Sequence, residues 1–212
     1  MPDTPSLPFP RPSKIVCVGR NYAEHAKELG NEVPKEPLIF LKPPSSLIAA
    51  GQPIVLPAMS KQIEYEGEIG VLIGKPLRHA TAADAAAAVS GVLAANDVTA
   101  RDLQRSDSQW TRAKGFDTFC PVGAPKAPPA DLSTLSVVTR VYGQERQQAS
   151  ASLMVFTIPA LLAYISNVMT LEPGDLVLTG TPAGVGTLAP GDEVEIEVPG
   201  FSRVRNPVRM HS

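Results

Sequence analysis

Three carboxylates stand at alternate positions in one short run, Ile63-Glu64-Tyr65-Glu66-Gly67-Glu68, ahead of an apolar, β-prone tail, Ile69-Gly70-Val71-Leu72-Ile73-Gly74. Such a run reads as a strand, and in a strand side chains at i and i+2 share a face. Glu64, Glu66 and Glu68 would then stand about 7 Å apart, pair by pair, from the strand rise. Nothing in the run compensates these like charges. A divalent cation would, so this stretch points to function as well as to fold.

Elsewhere 22 prolines are spread along the chain and punctuate many short elements. Strands are expected over 14–18, 38–41, 54–56, 91–95 and 137–142. Asn21 is placed to N-cap a helix over 22–29, which Gly30 or Asn31 would end. Thr81 and Asp84 resemble a capping box that opens an Ala-rich helix. Thr157 caps another helix, with Pro159 in its first turn. Leu171-Glu-Pro-Gly-Asp175 and Leu188-Ala-Pro-Gly-Asp192 echo each other as tight turns into strands. Short strands dominate and no composition shift marks a linker. The expectation is one α+β domain of mixed sheet over 14–212. Residues 1–13, with Pro2, Pro5, Pro8, Pro10 and Pro12, read as an extended arm.

The composition narrows the function. A 212-residue chain with 43% hydrophobic residues can bury a sizeable core, and a net charge of −2 without a basic run argues against nucleic acid. No apolar stretch is long enough to span a bilayer. The N-terminus lacks the apolar core of a signal peptide, so the expected compartment is the cytoplasm. Cys17 and Cys120 lack metal-ligand spacing and read as two reduced thiols.

Several side chains could carry chemistry. Two glutamates at i and i+2 supply two adjacent oxygen ligands for a hard ion such as Mg²⁺ or Mn²⁺. A third must come from elsewhere. Asp97 ends an apolar strand and Asp102 competes with it, and spacing alone does not choose. His25 and Glu28 are neighbours three apart on the first helix, an arrangement that suits a general base. Lys114, in a loop rich in turn-formers, could neutralise a developing enolate. The loop Gly180-Thr-Pro-Ala-Gly-Val-Gly186 could cradle an anion with backbone N–H groups or simply form a tight turn. Arg101, Arg105 and Arg112 could meet a second substrate carboxylate, but surface charges are the expectation. Residues 30–37, short and polar, are placed to act as a lid.

Taken together and in order, these pieces resemble the fumarylacetoacetate hydrolase superfamily, in its compact form. The carriers are Val18-Gly-Arg-Asn-Tyr-Ala-Glu-His25, Phe40-Leu-Lys-Pro-Pro-Ser-Ser46, Glu66-Gly-Glu-Ile-Gly-Val-Leu-Ile-Gly74, Asn96-Asp-Val-Thr-Ala-Arg-Asp-Leu-Gln104, Ala113-Lys-Gly-Phe-Asp117 and the stretch from Leu171 to Gly186. The resemblance implies a mixed β-sandwich roll with a few short helices, commonly a homodimer. It implies Glu66, Glu68 and Asp97 as ligands of Mg²⁺ or Mn²⁺, with Glu64 outside the ligand set. It implies His25, Glu28 and Lys114 as catalytic groups and Arg20, Gln104 and Thr181 as contacts to a small oxo-acid. The implied activity is hydrolytic C–C cleavage of acylpyruvate-type β-diketo acids such as acetylpyruvate or fumarylpyruvate. The alternatives are oxaloacetate decarboxylation, or isomerisation, decarboxylation or hydration of an unsaturated 2-oxo-diacid from aromatic catabolism. A non-catalytic oxo-acid-binding protein is a third class.

Overall fold

The computed structural model describes residues 6–211. The first five residues of the expected arm, and Ser212, lie outside the described residues. Residues 6–13 have no regular secondary structure, and Leu7 and Phe9 pack against the interior of the main sheet.

The chain runs through short elements. They are β1 (Ile15–Gly19), α1 (Ala23–Glu28), β2 (Leu38–Lys42), β3 (Leu47–Ala49), β4 (Ile54–Leu56), β5 (Ile63–Tyr65), β6 (Gly67–Ile73), α2 (Ala82–Ala87), β7 (Val89–Asn96) and β8 (Thr99–Ala100). They continue as α3 (Arg101–Ser106), α4 (Thr111–Lys114), β9 (Cys120–Val122), β10 (Ser136–Val141), β11 (Gln144–Ser150), α5 (Ile158–Val168), β12 (Leu176–Leu178), β13 (Gly186–Thr187), β14 (Glu193–Val198) and β15 (Ser202–Met210).

Seven strands form the main sheet, in the order β2-β1-β12-β6-β7-β9-β3. It is mixed: β1 pairs with β12 and β3 with β9 in parallel, and the other pairs are antiparallel. Its two edge strands, β2 and β3, are consecutive in the chain and joined through a single 3₁₀ turn, Pro44–Ser46. The sheet therefore curls on itself. Alternate residues of six strands, among them Ile15, Cys17, Leu93, Cys120 and Leu178, meet inside it as one cluster. The intervening residues, such as Val16, Val71 and Val92, point outward into a second, larger core. That core is closed by Val194, Ile196, Val204 and Val208 of a five-stranded sheet ordered β11-β10-β14-β15-β4, and by Leu161, Leu162 and Ile165 of α5. This is the mixed α+β roll expected. A small third sheet, β13-β5-β8, spans the gap beside the acidic run.

Local signals explain several boundaries. Thr81 and Asp84 form the full reciprocal capping box on α2, and Thr157 caps α5 through the Ala160 N–H. Gly174 and Gly191 of the two Pro-Gly turns have φ of 89° and 92°, the left-handed values such turns demand. The expected Asn21 cap is not formed. Tyr22 occupies that position without a side-chain cap. Asn21 is fully buried instead, donating to Phe156 O and Thr179 O and accepting from Phe156 N–H, so it stitches three segments together. At Gly67 the two large sheets come so close that a Cβ would overlap Thr139 Oγ1.

Candidate active site

The site forms where the glutamate run changes sheets. Glu64 lies on β5 and Glu68 on β6, with Glu66 at the crossing, so the three do not share one strand. Asn96 Oδ1 accepts from Glu66 N–H at 3.0 Å, and Glu66 O accepts from Asp97 N–H at 2.9 Å. These bonds carry Asp97, at the end of β7, to the side of Glu66. Ligand oxygens of Glu66, Glu68 and Asp97 all lie within 4.8 Å of one another, and the three residues are 5%, 1% and 1% exposed. Asp102 is not part of this group. Its carboxylate accepts from Ser60 Oγ at 2.5 Å and from the Lys61 and Leu103 N–H groups.

Three buried cations face these acids. Lys114, at the end of α4 rather than in a loop, donates to Glu66 Oε2 at 2.8 Å and Asp97 Oδ2 at 2.7 Å. Lys42 donates to Asp97 Oδ1 at 2.7 Å and Val98 O at 3.1 Å. Arg101 donates through Nε to Glu64 at 2.8 Å, through Nη2 to Glu66 at 2.5 Å and through Nη1 to Gln104 Oε1 at 2.5 Å. Arg101 is thus not the surface charge expected, and its contacts give Glu64 a role as the anchor of a buried guanidinium. Arg105 and Arg112 are exposed, as expected, and bond Gln62 and Asp107.

The acids are not equivalent. Burial pushes the Glu66 carboxyl up, but the Lys114 and Arg101 charges beside it hold it below the usual carboxylate range. Glu68 makes no ion pair with a Lys or Arg among the described residues, and it accepts from Gly180 N–H at 2.6 Å. Burial, then the neighbouring Asp97 and Glu66 charges, push its carboxyl well up. Burial works against the Lys114 ammonium, but Asp97 and Glu66 more than offset it and keep the group charged. An oxygen-only set with one carboxylate lacking a cationic partner fits a hard divalent ion. The cysteines lie deeper, inside the roll, and burial raises both thiols, Cys120 to about 12.

His25 and Glu28 form the expected pair on α1, with Nδ1 3.1 Å from Glu28 Oε2. A carboxylate only accepts, so Nδ1 carries the proton and the other ring nitrogen is left as a base. The glycine loop is not an empty anion cradle. Its Gly180 N–H is taken by Glu68 and its Gly184 N–H by Glu28 Oε1 at 2.9 Å. The loop thereby links the dyad to the acidic group.

A narrow cleft opens beside these groups. Arg20, His25, Glu66, Arg101, Gln104, Lys114 and Thr181 line it, so it brings together most of the site residues expected from sequence. Arg20 has a left-handed backbone, φ 57°, and meets no carboxylate among the described residues. Phe40 and Trp110, edge to face at 5.2 Å, form the apolar wall, and Leu29 at the end of α1 and Asn31 from the expected lid complete the rim. Lys42, Gln147 and Trp110 were not singled out from sequence. The signal for Lys42 is its place inside the Phe40–Ser46 motif, and Gln147 has no local signal.

The family model "Fumarylacetoacetate (FAA) hydrolase C-terminal" matches residues 14–209. The chain is 47% identical over 195 residues to the mitochondrial oxaloacetate decarboxylase of Dictyostelium discoideum, covering 89% of each protein. It is 44% identical over 203 residues to a mitochondrial oxaloacetate tautomerase of Arabidopsis thaliana, covering 93% of this chain and 91% of that protein. Among solved structures it is similar to the 5-carboxymethyl-2-hydroxymuconate delta-isomerase from Mycobacterium smegmatis, with TM-score 0.88, 46% identity and coverage of 95% and 80%. The chain belongs to the fumarylacetoacetate hydrolase family and is an enzyme of that family.

Proposed function

We propose that this protein moves protons and breaks bonds next to the carbonyl of a 2-oxo-dicarboxylic acid, oxaloacetate and unsaturated 2-oxo-diacids being the substrate class. The observation that carries this reading is one cleft lined by Glu66, Lys114 and His25, with Glu68 and Asp97 grouped with Glu66 and Glu28 bonded to His25. Glu66, Glu68 and Asp97 would hold Mg²⁺ or Mn²⁺, which when bound supplies a Lewis acid beside the 2-oxo group.

The chain's own residues do the rest. Arg20 and the Gln104 amide offer donors to the two carboxylates, which fixes the diacid in the cleft. His25, oriented by Glu28, takes a proton from the carbon next to the carbonyl. The electron pair moves onto the 2-oxo oxygen, where the Lys114 charge favours it, and a proton from solvent completes the enol. Returning the proton to carbon from the same or another position gives tautomerisation or isomerisation. In decarboxylation, CO₂ leaves and its electron pair takes the same route to oxygen, with no base needed.

The names of the relatives support these readings over acylpyruvate hydrolysis, the first expectation from resemblance. A turnover panel with Mg²⁺ over enol-oxaloacetate, oxaloacetate, an unsaturated 2-oxo-diacid and acetylpyruvate tests the choice. Turnover of the diacids with little on acetylpyruvate is expected. Preferred hydrolysis of acetylpyruvate would restore the hydrolase reading.

A further inference from the structure

Two uncharged groups on the cleft wall, Thr181 and Gln104, have their hydrogens fixed by neighbouring side chains. Gln147, buried on β11, spans the two large sheets. Its Oε1 accepts from Gly67 N–H at 3.0 Å and its Nε2 donates to Pro182 O at 2.8 Å. A backbone N–H only donates and a carbonyl only accepts, so this amide has one orientation. The second Nε2 hydrogen then goes to Thr181 Oγ1, also at 2.8 Å. The Thr181 hydroxyl accepts there and sends its only proton to Gly67 O at 2.9 Å. One lone pair of Thr181 remains, and the residue lines the cleft. Gln104 is fixed with the opposite polarity. Arg101 has only donors, so Gln104 Oε1 faces it and the NH₂ group is left for a ligand.

We infer that this pair makes the cleft read the protonation state of its ligand's oxygens. Gln147 is a positioning residue that keeps Thr181 an acceptor. A keto-diacid carries only acceptors and would set lone pair against lone pair at Thr181. The enol form brings an O–H to Thr181 while its carboxylates still accept from Gln104. The site therefore binds the enol tautomer in preference to the keto tautomer. The inference rests on the oxo-acid reading above.

Calorimetric titration of the Mn²⁺-loaded protein with hydroxymalonate and with malonate separates the two. Both are stable diacids, and only the first has an O–H between its carboxylates. Wild type is expected to prefer hydroxymalonate by about tenfold, the effect of one unmatched hydrogen bond. Thr181→Val should lose that preference and Thr181→Ser should keep it. Gln147→Met removes one of the two bonds that hold the Thr181 hydroxyl, so the preference should shrink, read as the ratio of the two diacid affinities at saturating Mn²⁺. This second variant carries the test if Thr181→Val does not fold. A preference that persists in both variants, or is absent from wild type, overturns the inference and leaves the oxo-acid reading intact. Failure of wild type to bind either diacid overturns both.

Discussion

The Lys114 ammonium sits 2.7 Å from Asp97 Oδ2 and ties that aspartate to Glu66, while Lys42 holds the other Asp97 oxygen. The acidic group is therefore shaped by the protein's own cations. Lys114 both orients two of the proposed ligands and places a like charge beside any metal ion they hold.

Replacing Lys114 by Met separates these effects. Removing one partner of a buried ion pair costs about 3–5 kcal/mol, so the variant should melt well below wild type in chelator. Losing a positive charge next to the ligands should tighten Mn²⁺ binding by about tenfold or more. Turnover should be lost all the same. Titration of Mn²⁺ into the variant checks this, and weaker binding would mean that Lys114 serves the metal site only by orienting it.

Glu64 anchors Arg101 and is not placed among the ligands. Glu64→Gln should cost stability of about 1–3 kcal/mol, the range for a partner lost to a buried charged group. Its cation affinity should stay within a few-fold of wild type. Glu66→Gln and Glu68→Gln should each lose cation binding. Calorimetric titration of the three variants with Mn²⁺ distinguishes them.

His25→Ala should slow tautomerisation or isomerisation on the order of 10²–10⁴-fold, the usual contribution of a positioned base. Decarboxylation of oxaloacetate should suffer far less. Rates of both reactions on the same protein preparation give the comparison. Equal, small losses would remove the dyad from the chemistry.

Asp175 provides a pH test away from the site. Burial raises its carboxyl, but bonds from Lys14, Ser13 and the Glu172 N–H lower it further, so the net shift is downward. Its folded pKa lies below the unfolded value of about 3.9, so the unfolded chain binds the proton more readily. The stability it contributes is present in full above that value and is lost as pH falls through the folded pKa. Asp175→Asn should melt below wild type at neutral pH, and the two melting curves should converge in acid. A gap independent of pH would show that the carboxylate charge is not what stabilises.

Sequence made local features legible. The His25–Glu28 pair follows from helical spacing, the Thr81 cap from Asp84 three positions on, and the Thr157 cap from Pro159 in the first turn. The Glu66, Glu68 and Asp97 group needed the resemblance, because spacing left Asp97 and Asp102 equal. What stayed hidden depends on distant partners. Asn21 bonds residues 135 and 158 positions away, so its side chain could not be told from an N-cap. Arg101 is buried only because β5 and β8 pair, and Gln147 meets Gly67 only where two sheets touch. The break between β5 and β6 was invisible because alternation of the glutamates continues across it.

The most direct test of the central claim follows the ultraviolet absorbance of enol-oxaloacetate in three samples: protein after exhaustive chelation, the same protein with Mg²⁺ restored, and a Mg²⁺ blank. The account predicts accelerated loss of the enol only where protein and Mg²⁺ are both present. Full activity in the chelated sample, or no acceleration with Mg²⁺, would contradict it.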